Sequence, residues 1–225
     1  MKILSIETSG KICAVALTED KTLIKEEIIE EENTHSVKLM PLIDKLLRET
    51  NTYLSDIDLF ACDIGPGSFT GIRIGISTIK AFMDAKNKKA VGVTSLEILS
   101  RNIEEDGIIC SLIDAKNNNV YYGIFEKIGN EYITKETKFE NINNIIEMTK
   151  KLNSKIFFIG NGSILYKDMI ESKINNANII TDEKLNKLNA FEICKIAFER
   201  VQKSVDSNNL TPIYLRQSSA ERLKK

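Results

Sequence analysis

Residues 1–30 read MKILSIETSGKICAVALTEDKTLIKEEIIE, and the runs inside this stretch decide the fold. KILSIE (2–7), KICAVALT (11–18) and KTLIKEEIIE (21–30) are short runs rich in apolar residues, parted by polar turns, one of which holds Gly10. Runs of that length bounded by turn residues predict a three-strand meander. Residues 34–50 then change to helical period, with Asn33 or Thr34 available as N-cap. A strand over 57–64, a helix from GPGSFTG to about Ala85, a strand at 89–93 and a helix over 95–103 complete a βββαβαβα unit.

The second half repeats the pattern. GIICSLIDA (107–115), VYYGIFEKI (120–128) and EYITKETKF (131–139) predict three strands. A helix over 141–152, a strand at 155–160, a helix over 163–173, a strand at 177–181 and a long helix over 189–204 follow. A meander followed by strand–helix crossovers implies sheets of mixed strand direction. The order predicts an α/β fold of two domains, 1–105 and 106–225, the second ending in a tail. Two such units in tandem resemble the paired ribonuclease-H-like domains of the actin, hexokinase and Hsp70 superfamily. That resemblance by itself assigns no activity.

Composition narrows the chemistry. Lysine plus arginine total 31 against 32 aspartates and glutamates, so no net field draws the chain to nucleic acid or anionic lipid. No apolar run reaches the roughly 20 residues that span a bilayer. The N-terminal apolar stretch is cut short by Glu7, unlike a signal peptide, and the expected location is the cytoplasm without membrane attachment. Cys13, Cys62, Cys110 and Cys194 show no paired spacing, and three of them sit in apolar runs, which reads as small buried hydrophobes. His35 is the only histidine, so a two-histidine metal site is excluded and any Ser-His-Asp triad would need that one residue.

Two loops invite a phosphate. GPGSFTGIR joins strand to helix through Gly65, Gly67, Ser68, Thr70 and Gly71, with Ser68 or Thr70 placed to cap the helix. It lacks the lysine of a P-loop, and a tight turn under close helix packing is the plainer reading. Glu7, Thr8 and Ser9 form the first β-turn, and Asp114 stands in the matching turn of the second half. There Lys116, Asn117, Asn118 and Asn119 replace small residues, and Gly160 and Gly162 remain as an adenosine-side loop. These phosphate positions read as vestigial, with no metal and no cofactor bound.

The helices point to a partner. Leu39, Leu42, Ile43 and Leu46 line one side of the first, which carries Pro41 inside it; Met40 and Leu47 extend the stripe, and the apolar arc spans roughly 160°, wider than one sheet contact needs. Ile72, Ile76, Ile79 and Met83 line the second, with Ile74, Ala81 and Ala85 on another side and Arg73, Ser77, Lys80 and Asp84 in a polar strip. Excess apolar surface suggests an interface with another chain, the alternative being that both helices are sandwiched between the sheet and neighbouring helices of their own domain. His35, the two leucine–isoleucine stripes and Arg73 are the candidate partner residues.

MKILSIETSG, HSVKLMPLID, DIGPGSFTGIRIGISTIKAF, GVTSLE, LIDAKNNNVYYGIFE, IGNGS and TPIYLRQSSAE together resemble the bacterial TsaB (YeaZ) family of tRNA threonylcarbamoyladenosine biosynthesis proteins. The resemblance implies a non-catalytic subunit that stabilises a TsaD-type catalytic paralogue, with a TsaE-type ATPase in the same complex. That complex places the threonylcarbamoyl group on adenosine 37 of tRNAs reading ANN codons. Where TsaD-type chains begin a metal-binding histidine pair, this sequence has Thr94 and Ser95, and Leu99 stands where the last histidine falls. The resemblance further implies homodimers when the partner is absent, ATP or ADP only at a complex contact, and tRNA reached only through the complex. A stand-alone ATP-dependent small-molecule kinase of the same superfamily is the alternative. The tail offers the only clustered basic charge, at Arg216, Arg222, Lys224 and Lys225.

Overall fold

A computed structural model of the 225-residue chain describes residues 1–30, 35–152, 154–175 and 177–216. The expected caps Asn33 and Thr34, and the tail residues Arg222, Lys224 and Lys225, lie outside the described residues.

The first half folds as β1 (Lys2–Glu7), β2 (Cys13–Glu19), β3 (Thr22–Ile29), α1 (His35–Glu49), β4 (Leu59–Asp63), α2 (Phe69–Lys86), β5 (Ala90–Val93) and α3 (Ser95–Ser100). The second half follows the same order. Its elements are β6 (Gly107–Asp114), β7 (Asn119–Ile128), β8 (Glu131–Asn141), α4 (Ile142–Thr149), β9 (Ile156–Ile159), α5 (Asn161–Leu165), α6 (Lys167–Glu171), β10 (Ala177–Ile179) and α7 (Ala190–Glu199). The helix expected over 163–173 is two short helices parted at Tyr166.

The two sheets share one topology, β3-β2-β1-β4-β5 and β10-β9-β6-β7-β8. In the first, β1 runs antiparallel to β2 and parallel to β4, with Ile6 opposite Val15 and Cys62. The predicted mixed sheets and the duplicated pattern are therefore present.

The contiguous cut at residues 105 and 106 is corrected. The chain divides into Met1–Ser95 with Leu188–Tyr214, and Leu96–Lys187 with Leu215–Lys225. The reason is the alternation along β1. Leu4 and Ile6 face α1 and α2 in one core, with Val15, Leu17, Phe60 and Cys62. Ile3, Ser5 and Glu7 face the opposite side, which needs its own cover. The cover is α7: Ser5 Oγ donates to the Ala190 carbonyl at 2.6 Å, and Cys194 Sγ lies 3.1 Å from Ser5 Oγ. In the second unit Cys110, Leu112, Val120 and Phe158 pack under α4, α5 and α6. Leu96 and Leu99 of α3 lie close over Gly123 and Gly160 of that unit.

All four cysteines are free and buried. Burial pushes the Cys13 thiol up to about 11 and that of Cys194 up to about 12, as expected of packing residues rather than nucleophiles. Among the described residues no helix is long and apolar enough to cross a membrane.

Candidate functional site

The carboxyl end of β1 is where the turn Thr8–Ser9 and the first turn of α2 meet. Three glycines make the meeting possible. A Cβ on Gly67 would lie 2.5 Å from the Ser9 carbonyl oxygen, one on Gly71 only 1.9 Å from that of Thr8, and one on Gly75 2.5 Å from Thr8 Oγ1. Hydrogen bonds then tie the two segments. The Ser68 amide donates to the Ser9 carbonyl at 2.8 Å, and Thr8 Oγ1 donates to the Gly71 carbonyl at 2.8 Å. Ser68 is the N-cap, its side chain accepting from the Gly71 amide at 3.2 Å, while Thr70 is exposed. GPGSFTG is thus a packing turn: the Ser68 and Gly71 amides, which could face an anion, are spent on the Ser9 carbonyl and Ser68 Oγ.

Beneath this turn lies a buried polar cluster. Glu7 Oε1 accepts from the amides of Ser9 (2.7 Å) and Gly10 (3.2 Å), and Glu7 Oε2 is buried with no hydrogen-bond partner. Ser9 Oγ lies 2.8 Å from both Glu7 Oε1 and Asp63 Oδ2. Asp63 Oδ1 accepts from the Gly65 amide at 2.6 Å and from Ser95 Oγ at 2.9 Å. Burial, and next the neighbouring Asp63, hold the Glu7 carboxyl well above the usual carboxylate range. Burial also raises Asp63, against the hydrogen bonds that favour its charged form.

Sequence reasoning found Glu7 and Ser9 but missed Asp63 and the role of Ser95. Asp63 closes the apolar run FACD and reads as a strand end. Its signal is position: it ends β4, the parallel neighbour of β1, on the same face as Glu7.

Asp114 belongs to the other unit and to a separate turn. Its Oδ1 accepts from the Lys116 amide at 2.9 Å, and its Oδ2 pairs with Lys116 Nζ at 2.9 Å. Lys116, Asn117 and Asn118 all take positive φ (66°, 56° and 57°), a left-handed turn for which asparagine is suited. Gly160 and Gly162 serve close packing: a Cβ on either would crowd the Leu112 backbone, at 2.3 Å and 3.0 Å. Among the described residues no group of three or more His, Cys, Asp or Glu side chains is placed to hold a metal ion.

The expected partner residues divide sharply. Leu39, Leu42, Ile43 and Leu46 of α1, and Ile72, Ile76, Ile79 and Met83 of α2, are buried in the core of their own unit. The expectation that these side chains form a surface is corrected. The wide apolar arcs are taken up because each helix sits between the sheet and its neighbour, and each such side chain gains about 1.5–3 kcal/mol by burial there. His35 is buried too, with Nε2 3.1 Å from the Gly10 carbonyl oxygen. Arg73 is exposed; its Nε donates to Tyr214 Oη at 2.9 Å, and Tyr214 stacks on Phe69. Among the large apolar side chains of α1, Val37 is 71% exposed and Met40 51% exposed. Met40 belongs to the apolar stripe read from the sequence, while Val37 belongs to none of the stripes.

Comparison with known proteins decides the family. The family model for TsaD, tRNA N6-adenosine threonylcarbamoyltransferase, matches residues 23–224. A tRNA threonylcarbamoyladenosine biosynthesis protein TsaB from Bacillus subtilis is 30% identical over 98% of this chain and 96% of its own length. The chain belongs to the TsaB (YeaZ) family. It thereby also falls within the wider group that the TsaD model describes. The fold agrees with a TsaB-family structure, YeaZ from Pseudomonas aeruginosa, at a TM-score of 0.79 and 23% identity over 95% of this chain and 99% of that one. A ROK hexokinase from Thermus thermophilus has a similar fold, at a TM-score of 0.53 and 9% identity over 90% of this chain and 100% of its own.

Proposed function

We propose that this chain acts in tRNA threonylcarbamoyladenosine biosynthesis as a non-catalytic subunit that binds and stabilises a TsaD-type partner. The observation that carries the reading is the closed turn at the end of β1. Where a catalytic member of this fold would seat a phosphate, the α2 backbone lies on Ser9 and Thr8, and Glu7 and Asp63 are sealed beneath it. A protein of this family with that site shut contributes by association. The outer faces of α1 and α2, with Val37, Met40 and Arg73, are the surface offered to the TsaD-type chain, and to a second copy when the partner is absent. A TsaE-type ATPase joins the same complex, any ATP or ADP sits at a contact between subunits, and tRNA is reached through the partner.

The test is genetic. Depleting the chain should remove the threonylcarbamoyl mark from ANN-reading tRNA, and restoring it should bring the mark back. A mark that persists at its normal level after depletion ends the proposal. The kinase reading is not favoured, because its phosphate would have to displace the Ser68–Ser9 hydrogen bond.

A further inference from the structure

The contacts around Ser9 require more protons than its neighbours' hydroxyls bring. Ser9 Oγ lies 2.8 Å from Glu7 Oε1 and 2.8 Å from Asp63 Oδ2, and Ser95 Oγ lies 2.9 Å from Asp63 Oδ1. Each of these oxygen–oxygen distances is that of an O–H···O bond. Two hydroxyls supply two protons, while three bonds need three. With both carboxyls ionised, one contact would press a hydroxyl lone pair against a carboxylate inside a fully buried cluster, at a cost of the kind that unpaired buried charge carries. The weaker approach of Ser9 Oγ to Ser95 Oγ, 3.3 Å, adds a demand and no proton.

We propose that Glu7 and Asp63 share one proton through Ser9, with Glu7 as the neutral acid, and that this proton is a pH-sensitive latch holding the β1–β2 turn under α2. Glu7 is the holder because its Oε2 is buried without a partner, so a charge there would be stranded. Asp63 is the better seat for the charge, since its Oδ1 accepts from both Gly65 and Ser95. The same Ser9 that bridges the two acids presents its carbonyl to the Ser68 amide, which links the latch to the helix.

The hydrogen bonds of Glu7, Ser9, Asp63 and Ser95 described above involve no cation. β4 adds Cys62 beside Asp63, β2 adds Cys13, and α3 begins with Ser95. On α2, Lys80 lies near enough to Cys62 to favour its thiolate, against the burial that raises it. α1 reaches the turn through His35 on the Gly10 carbonyl, and α7, on the same sheet face, carries Glu192 paired with Lys195.

The sign follows from linkage. In the unfolded chain Glu7 ionises in the ordinary carboxyl range, near 4.3. Folded, it keeps its proton to higher pH, so between those two values folding takes up a proton. Stability is fully present below the ordinary range and is lost as pH rises through the folded value. In that window the unfolding constant should rise by up to about tenfold per pH unit.

The experiment is urea unfolding of the full chain across about pH 5 to 9, followed by circular dichroism, for the native sequence and Glu7→Gln. The native chain should lose stability as pH rises, and the variant should lose that slope. Equal slopes in the two chains would overturn the latch. Should Glu7→Gln fail to fold, infrared spectra of the native chain decide alone. A protonated carboxyl band at neutral pH, absent once urea unfolds the chain, is expected, and a folded chain with no such band contradicts the proposal.

Discussion

The Ser68 amide donates to the Ser9 carbonyl at 2.8 Å and, with the bond from Thr8 Oγ1 to the Gly71 carbonyl, joins the start of α2 to the turn that follows β1. It sits among three glycines whose missing side chains let backbone approach backbone. The geometry turns a loop with the look of an anion cradle into a structural clasp.

Gly71→Ala tests the clasp. Its Cβ would lie 1.9 Å from the Thr8 carbonyl oxygen, a backbone atom that cannot swing away. Overpacking at so rigid a contact should cost about 3 kcal/mol or more, read as a lower urea midpoint.

The two helix faces should respond oppositely to charge. Ile76→Asp buries a carboxylate in the unit's own core, next to Ile72 and Ile79, and should unfold that unit. Val37→Asp and Met40→Asp place it in solvent and should change stability by no more than about 0.5 kcal/mol. Thermal melts of the three variants separate the outcomes.

Glu26 serves α7 from across the sheet. Its Oε1 accepts from the amides of Ala190 and Phe191, each at 3.0 Å, while Asn189 caps the Glu192 amide at 2.7 Å. Glu26→Ala should destabilise the chain by about 1–2 kcal/mol, and Glu26→Gln by less, since an amide oxygen still accepts. Denaturant titration of both variants gives the comparison.

Nucleotide should not engage the lone chain. With the Ser68 and Gly71 amides committed to the Ser9 carbonyl and Ser68 Oγ, calorimetric titration with ATP and magnesium should show no heat of binding and no turnover. Tight binding with phosphoryl transfer would revive the kinase reading.

Much of the fold was legible because it is local. Each strand of the meander carries its own alternation or apolar run, and the switch to helical period at residues 34–50 marks the change of element. The allegiance of α7 was not legible: its partners Ser5 and Glu26 stand more than 160 residues away, and periodicity records a buried face without saying what buries it. The same ambiguity misplaced Ile72 and Ile76, whose stripe fits a partner and an own core equally well. Asp63 was hidden for a different reason. A carboxylate at a strand end normally reads as solvent-facing, and only the parallel pairing of β1 with β4 brings it beside Glu7.

The most direct measurement of the central claim is threonylcarbamoylation of tRNA by the TsaD-type and TsaE-type proteins, reconstituted with this chain or with its Val37→Asp/Met40→Asp double variant. The native chain should be required, and the folded double variant should support at least about tenfold less modification, equivalent to about 1.4 kcal/mol of lost association. Full activity without the chain, or with the double variant at matched concentration, would contradict the claim.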